Sequence, residues 1–261
     1  MATGNTKLVM KKSNLKKYFN WTIIILIFAW SWKGAEIRPL ELIYYSDNIV
    51  TLLKDFFPPD FTEWKSYSED MIVTIQIALW GTFLSAIVAV PFAVLSSGNL
   101  FPPMIVYFVR RLMDITRSIN EIVLAMIFVA AIGLGPFAGV LAIFFHTTGV
   151  FAKLFSESVE AIDMGCVEGV RSVGATKTQE ILYGVIPQVI PLWISYILYR
   201  FESNVRSAAV LGIVGAGGIG TAIYETLSGF ALQQTAAILI IIVVSVNIID
   251  LISNKIRKKF I

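Results

Sequence analysis

The stretch MIVTIQIALWGTFLSAIVAVPFAVL, residues 71–95, contains no charged side chain. A transmembrane helix needs roughly 20 consecutive, mostly apolar residues, so this stretch predicts one. The whole 261-residue chain is 56% hydrophobic and 15% charged, whereas soluble domains are about 45–50% apolar and about 25% charged. The composition therefore excludes a disordered chain, a basic nucleic-acid-binding protein and a typical soluble enzyme. It indicates a polytopic membrane protein.

Further apolar segments predict an all-α integral membrane protein with about six transmembrane helices. Residues 122–152 carry no charge but are too long for one span, and we expect Gly133-Leu-Gly-Pro136 to divide them with a turn. One cysteine, Cys166, excludes an intrachain disulfide, and one histidine, His146, argues against a multi-histidine metal site. The predicted spans are residues 19–33, 71–95, the two parts of 122–152, 181–199 and 226–249.

The distribution of lysine and arginine predicts the orientation. With a cytoplasmic N-terminus, segments 1–18, 96–118, 153–180 and 250–261 lie inside and hold 15 of the 21 basic residues. This bias is typical of cytoplasmic loops, so both termini are expected in the cytoplasm.

This orientation divides the chain into five regions. Bulky residues after the first apolar run indicate an uncleaved anchor. The acidic region that follows is expected to hold a short interfacial helix near residues 48–57, or alternatively a solvated linker. The regions are a cytoplasmic tail (1–18), the anchor (19–33), a periplasmic segment (34–69), a transmembrane core (70–254) with a cytoplasmic loop at 155–178, and a basic cytoplasmic tail (255–261).

Two glycine patterns imitate phosphate-binding motifs. Gly215, Gly217 and Gly220 fit G-x-G-x-x-G, but an uncharged membrane segment follows where a dinucleotide site needs an acidic residue. We interpret these glycines, with Gly218, as allowing close helix packing or a bent, gating segment. The stretch 169–176 resembles a P-loop, except that Ala175 occupies the position of the essential lysine. We therefore expect no cofactor in this chain and no ATP hydrolysis by it alone.

The cytoplasmic loop carries a possible coupling element. Its Glu168, Gly174 and Pro187 have the spacing of the EAA motif of ABC-transporter permeases, in which a short helix docks onto a cytoplasmic ATPase. Gly169 and Val170 depart from the motif, which usually has alanines there. A solvated amphipathic loop is the alternative interpretation. The loop residues expected to face the ATPase are Glu157, Glu160, Asp163, Glu168, Gly169, Val170, Arg171, Gly174, Ala175 and Pro187, with the first three on one helical face.

A wider resemblance covers nearly all of residues 32–261. The stretches Trp32-Lys-Gly-Ala-Glu36, Gly133-Leu-Gly-Pro-Phe-Ala-Gly139, Glu180-Ile-Leu-Tyr-Gly184 and Val214-Gly-Ala-Gly-Gly-Ile-Gly220 resemble phosphonate ABC-transporter permeases. The resemblance implies the type I ABC importer permease fold and a bacterial inner-membrane location. It also implies a second copy of this chain, two cytoplasmic ATPase subunits that bind ATP and Mg, and a periplasmic phosphonate-binding protein, without nucleic acid.

Three polar clusters are candidates for an anion path, because ionisable residues inside a membrane usually face a cavity or a partner. We expect Glu121 to have a structural or gating role, pairing with Arg117, and Arg200 or Arg206 to face the path. The pair Glu202 and Arg206 is alternatively a simple ion pair at a helix end. The candidates are Asn120 and Glu121; His146, Thr147 and Thr148; and Arg200, Glu202, Ser203, Asn204, Arg206 and Ser207.

These observations predict the transmembrane subunit of an ATP-driven phosphonate importer. A permease for a related oxyanion such as phosphate or phosphite is the main alternative. A membrane enzyme would need a catalytic constellation, and the sequence contains no evident nucleophile–His–acid set. A channel or a carrier that works alone would not need the coupling loop.

Overall fold

The computed structural model describes the backbone of residues 6–260 and the side chains of residues 17–259. Within residues 6–260 every regular element is helical, which confirms the all-α fold class. Residues 1–5 of the predicted N-terminal tail and residue 261 of the C-terminal tail lie outside the described residues.

The N-terminal unit, up to residue 54, contains one long and two short helices. Helix α1 (Thr6–Gly34) includes the predicted anchor 19–33 and extends beyond it at the N-terminal side. Helix α2 (Pro39–Tyr44) begins at a proline, where the missing N–H costs nothing. Helix α3 (Ser46–Asp55) coincides closely with the short helix expected near residues 48–57.

The second unit, from residue 55 onward, contains the remaining helices. Helix α4 (Trp64–Leu95) begins seven residues before the uncharged stretch 71–95 and ends at the same residue. A π-helical turn (Glu180–Val185) leads into α10, and a 3-10 turn (Gly212–Val214) follows it. The helices are α4 (Trp64–Leu95), α5 (Pro103–Ser118), α6 (Glu121–Ile132), α7 (Pro136–Glu160), α8 (Met164–Ser172), α9 (Lys177–Gln179), α10 (Ile186–Leu211), α11 (Ile219–Ser228) and α12 (Leu232–Phe260).

The span count differs from the expected six. Four helical segments of the described residues are long and apolar enough to cross a membrane, or five if the pair α5 and α6, bent by 82°, forms one broken span. The predicted break at Gly133–Pro136 is confirmed, but α6 has only 12 residues. It is therefore about 18 Å long at 1.5 Å per residue, too short to span alone.

Two predicted spans end at the wrong residues. The span 181–199 continues as α10 to Leu211, so Arg200 and Arg206 lie inside a helix instead of in an external segment. The predicted last span, 226–249, is interrupted at residues 229–231, because α11 ends at Ser228 and α12 begins at Leu232. Hydropathy alone did not locate these ends, since polar residues in α10 are buried by neighbouring helices.

Helices α4 and α7 form the centre of this unit and run in the same direction. A Cβ atom at Gly81 would lie 2.6 Å from Cγ2 of Ile143, so the two helices pack closely here and a larger residue would force Ile143 to move. Nearer the α8 end, the rings of Phe155 and Trp193 stack with centroids 4.6 Å apart and join α7 to α10. The Trp193 indole nitrogen also donates to Ser158 Oγ at 2.7 Å.

Candidate functional site: a buried polar cluster and a coupling helix

Asn204 joins three helices near the middle of the second unit. Its side chain is fully buried, its Nδ2 donates to Thr82 Oγ1 on α4 at 2.8 Å, and its Oδ1 accepts from Thr147 Oγ1 on α7 at 3.3 Å. Two of the residues predicted for the path, Asn204 and Thr147, are thus brought together. Their partner Thr82 was missed, because a lone threonine in an apolar span gives no signal by itself.

A second group connects α6, α7 and α10. The Ser207 hydroxyl donates to a Glu121 carboxylate oxygen, and His146 Nε2 lies 3.9 Å from the other oxygen of Glu121. His146 Nδ1 lies 3.0 Å from the Ile119 carbonyl oxygen, an acceptor that places a proton on Nδ1. Glu121, His146 and Ser207, which the sequence interpretation placed in three separate candidate clusters, therefore lie together in one site.

The expected pairing of Glu121 with Arg117 is wrong. Arg117 bonds Asp114 through Nε at 3.0 Å and Nη2 at 2.7 Å, one helical turn away on α5. The chain turns sharply between α5 and α6, which separates Arg117 from the first residue of α6. Asn120 is the N-cap of α6, and its side chain accepts from the backbone N–H of Ile122 at 2.8 Å. This residue therefore has a capping role in the structure.

The two candidate arginines of α10 have different surroundings. Arg200 is half-buried, its Nη2 lies 3.5 Å from Asn204 Oδ1, and its buried Nε has no partner among the described residues. Arg206 is exposed and forms the expected pair with Glu202 at 2.8 Å. Arg200 is therefore the arginine that has unused hydrogen-bonding capacity beside the buried cluster.

The remaining path candidates have more local contacts. Thr148 is buried and its hydroxyl donates to the Phe144 carbonyl at 2.6 Å, one turn earlier in α7. Ser203 is half-buried on α10. The Thr148 hydroxyl therefore bonds within its own helix. Ser203 lies between Glu202 and Asn204 in the sequence of α10.

The loop after α7 forms the predicted short helix, α8. Only Val167 is buried in it, and Glu168, Gly169 and Arg171 are exposed, while Val170 is half-buried. A Cβ atom at Gly184 would lie 3.0 Å from Val167 Cα, so a glycine in the π-helical turn lets α8 lie close against it. Helix α8 therefore rests on the start of the α10 segment and leaves most of its surface free.

The predicted acidic face of the loop is wrong. Helix α7 ends at Glu160, so Asp163 is not on the same helix as Glu157 and Glu160. Glu157 pairs with Lys153 at 3.0 Å, and Glu160 bonds Arg110 and the backbone N–H of Gly98. Asp163 caps α8 by accepting from the backbone N–H of Gly165 at 2.9 Å. Glu157 therefore pairs within α7, while Glu160 holds the end of α7 to the α4–α5 connection and Asp163 fixes the start of α8.

An ion-pair clamp holds α8 to the π-helical turn. Arg171 donates to both carboxylate oxygens of Glu180 at 2.8 and 3.0 Å, and Lys177 Nζ lies 3.2 Å from Glu180 Oε2. Hydrogen bonds and charge from Glu180 raise the pKa of Arg171, so the guanidinium stays charged. Glu180 and Lys177 were missed by the sequence interpretation, although an acidic residue directly before an apolar span was a usable signal.

Gly174 has the predicted turning role. It has φ +83° directly after α8, a conformation that favours glycine. Ala175 follows half-buried, and Thr176 with Gln179 forms a capping box for the next helical turn. Pro187 is exposed at the start of α10, where a proline is tolerated.

The second glycine segment forms a bend and not a nucleotide-binding turn. Gly215, Gly217 and Gly218 all have positive φ between the 3-10 turn and α11. A Cβ atom at Gly220 would lie 2.1 Å from the Ala209 carbonyl oxygen, so this position tolerates no side chain without movement. The Gly215 carbonyl accepts from the backbone N–H of Gly135 at 3.0 Å, which joins this bend to the break before α7.

Comparisons with known proteins agree with this architecture. The family described as "Binding-protein-dependent transport system inner membrane component" matches residues 81–260. The putative cryptic phosphonate transport system permease protein PhnE2 of Escherichia coli K12 is 61% identical over 121 residues, which are 46% of this chain and 99% of that protein. The phosphite transport system permease protein PtxC of Stutzerimonas stutzeri is 37% identical over 230 residues, which are 88% of this chain and 84% of that protein.

A solved structure shows the same fold. A chain of the inward-facing MetNI methionine ABC transporter superposes with a TM-score of 0.65 at 21% identity, covering 74% of this chain and 95% of that one. This similarity confirms the type I ABC importer permease fold. The chain therefore belongs to the family of binding-protein-dependent transport system inner membrane components, as a membrane-spanning permease subunit of an ABC importer and not an enzyme.

Proposed function

We propose that this permease imports a small phosphorus oxyanion, with phosphonate as the leading substrate and phosphite or phosphate as alternatives. The observation that supports this most strongly is the similarity to two permeases named for phosphonate and phosphite transport, one of them along 88% of the chain. Both names describe small tetrahedral phosphorus anions, so the proposed substrate class is narrower than that of the family as a whole.

The proposed path runs along α10 beside the buried polar cluster. Arg200 supplies a cation there, with an Nε that has no partner among the described residues, and Ser203 supplies a hydroxyl group, whereas the Ser207 hydroxyl already donates to Glu121. Glu121 lies beside this cluster and would repel an anion, so its charge offsets that of Arg200 and the path has little net charge. A weakly binding path suits transport, because a tightly bound anion would not be released. Selection of the substrate then belongs mainly to a soluble binding protein.

The proposed coupling element is α8. Its exposed surface includes Glu168, Gly169 and Arg171, and the clamp to Glu180 connects it rigidly to the start of α10. Movement of a docked ATPase would therefore be transmitted directly to the helix that carries Arg200 and Asn204. Alternating access requires such a connection between the nucleotide-binding partner and the two states of the path.

The proposed assembly contains a second permease copy, an ATPase dimer that binds ATP and Mg, and a periplasmic phosphonate-binding protein. The α8 end of the molecule and both chain termini then face the cytoplasm. The basic residues near these segments support this orientation. A cysteine-accessibility measurement at the native Cys166 on α8, which is exposed, tests the orientation directly.

The test of function is uptake by a reconstituted complex. The tagged chain is purified with its associated ATPase, inserted into proteoliposomes with the binding protein, and supplied separately with methylphosphonate, phosphite and phosphate. We expect ATP-dependent uptake of at least one of the three, and neither ATP hydrolysis nor accumulation by the permease alone. Uptake of none of them, or accumulation without the ATPase, would overturn the proposal.

Two variants test the assigned roles in the same assay. Gly174→Val forces a β-branched residue into φ +83°, and we expect ATP hydrolysis to continue while uptake is lost. Gly34→Val is the matched control, because no atom lies within 4 Å of the added Cβ atom and Gly34 lies on α1, outside the coupling element. Arg200→Gln should reduce uptake more than Arg206→Gln. Equal uptake by both arginine variants would contradict the assignment of Arg200 to the path.

A further inference from the structure

A small polar cavity lies between the ends of α4, α5 and α7, away from the proposed path. It has a volume of about 110 Å³, several times the roughly 30 Å³ that one water molecule occupies in the liquid. Its lining combines three basic side chains, two serines and one carboxylate. The lining residues are Ser96, Arg110, Met113, Asp114, Arg117, Ala152, Lys153 and Ser156.

The three basic groups come from two different helices and are only partly solvated. The side chains of Arg110 and Arg117 on α5 are 39% and 41% exposed, and that of Lys153 on α7 is 42% exposed. Arg110 and Arg117 are seven residues apart and therefore share one face of α5. The lining itself contains three positive charges and the carboxylate of Asp114, while Glu160 and Glu157 pair with Arg110 and Lys153 from outside the lining.

Neighbouring carboxylates use only part of this donor capacity. Arg110 donates through Nε to the Ser96 carbonyl and through Nη2 to Glu160, and Arg117 uses Nε and Nη2 on Asp114. Lys153 pairs with Glu157 through one of its three N–H donors. Among the described residues, the Nη1 groups of both arginines and two ammonium hydrogens of Lys153 therefore have no hydrogen-bond acceptor.

Asp114 does not leave an unbalanced negative charge in the cavity. Its Oδ1 accepts both bonds from Arg117, and its Oδ2 lies 3.6 Å from Arg111 Nη1. The buried Ser156 Oγ lies 3.4 Å from Ser97 Oγ, and because Ser97 donates its own hydrogen to the Ala93 carbonyl at 2.7 Å, Ser97 can only accept from Ser156. The unused donors of the lining therefore belong to Arg110, Arg117 and Lys153 on α5 and α7, and none of them has an acceptor among the described residues.

We propose that this cavity binds a phosphoryl oxyanion, supplied either as free phosphate or as the headgroup of an anionic phospholipid. Two guanidinium groups and one ammonium group suit an anion with several oxygens, because each can donate a charge-assisted hydrogen bond to a different one. Arg110 and Lys153 hold Glu160 and Glu157 at the end of α7, the helix that leads into α8. The anion thus occupies the cavity where α4, α5 and α7 meet.

The test uses the purified full chain without any ATPase, so its result does not depend on the proposed transport function. Binding of inorganic phosphate is measured by calorimetry in a detergent of neutral headgroup. Binding of phosphatidylglycerol is measured by native mass spectrometry and in nanodiscs of phosphatidylcholine with and without that lipid. The test variant is the double substitution Arg117→Gln and Lys153→Gln. Each preparation must elute as a single species in size-exclusion chromatography and, without ligand, have the melting temperature of the parent.

Three further variants make the comparison specific. Lys65→Gln removes one charge at the opposite end of α4 from Ser96, and Arg200→Gln removes the cation of the proposed path. Lys153→Arg keeps the charge and is the conservative variant. If the double variant folds poorly, Lys153→Gln alone is compared with Lys153→Arg, and equal binding by these two overturns the proposal. We expect the double variant to lose about tenfold or more in affinity, since it removes two charge-assisted donors, while the other three bind like the parent.

The two sources give different results. Phosphate binding that the double variant loses identifies free anion as the ligand, and phosphatidylglycerol binding with the same pattern identifies the lipid. Either result supports the site. The proposal is overturned if neither probe binds, if the double variant binds like the parent, or if only Arg200→Gln removes binding.

Discussion

Replacing Asn204 by leucine distinguishes a structural lock from a substrate contact. Asn204 is fully buried and bonds Thr82 and Thr147 on two other helices. Leucine has a similar size and no polar group, so it removes both hydrogen bonds with little change of volume. It leaves Thr147 without its acceptor, while Thr82 still donates to the Ala78 carbonyl at 2.6 Å.

The expected loss of stability follows from these contacts. Hydrogen bonds between transmembrane helices contribute on average about 0.6 kcal/mol each and at most about 1.7 kcal/mol. Two such bonds, together with about 1 kcal/mol for an unsatisfied Thr147 hydroxyl, give a loss of about 2 kcal/mol for Asn204→Leu. Adding Thr147→Val removes the unsatisfied hydroxyl, so the double variant should be about 1 kcal/mol more stable than Asn204→Leu alone.

The assay is a double-mutant cycle of unfolding in mixed micelles, followed by uptake with the reconstituted complex. Thr235→Val is the control second substitution, because Thr235 bonds Thr226 at 2.9 Å and shares no partner with Asn204. Its effect should add to that of Asn204→Leu within about 0.5 kcal/mol. If Asn204 is a lock, Asn204→Leu with Thr147→Val regains uptake together with stability.

Two results would refute this reasoning. A coupling energy near zero between Asn204 and Thr147 would show that the 3.3 Å contact does not stabilise the helix junction. Stability recovered without recovery of uptake would show that the amide itself contacts the transported anion.

Two further predictions concern backbone packing and the clamp of α8. Gly220→Ala should destabilise the permease by about 3 kcal/mol, because the new methyl group would lie 2.1 Å from a backbone oxygen; Gly169→Ala should change thermal unfolding little, and equal losses would contradict the packing argument. Arg171→Ala should reduce the uptake achieved per ATP hydrolysed more than Lys177→Ala does. Arg171 makes two bonds to Glu180 and Lys177 makes one, so the reverse order in a paired uptake and phosphate-release assay would contradict the clamp.

Much of the candidate site was accessible from the sequence, but its pairings were not. Polar residues in apolar segments identified Glu121, His146 and Asn204, because such residues are costly in a membrane and usually have partners. The partners come from distant parts of the chain: Ser207 is 86 residues from Glu121, and Thr82 is 122 residues from Asn204. No local spacing indicates contacts of this kind, which explains why Arg117 was wrongly paired with Glu121.

The sequence by itself determined that the chain is helical and membrane-embedded. In uncharged stretches such as residues 71–95, the backbone N–H and C=O groups have no water in the membrane, and a helix pairs them within the segment. It also determined the break at Gly133–Pro136 and the turn at Gly174, where glycine and proline act locally. Only the tertiary structure decided that α10 continues through Arg200 to Leu211 and that Arg171 and Glu180 clamp α8. It also decided that the acidic residues at and just beyond the end of α7 act in pairing and capping. These features depend on polar groups that neighbouring helices bury and hydrogen-bond. A hydropathy pattern along the sequence contains no information about which helices are neighbours.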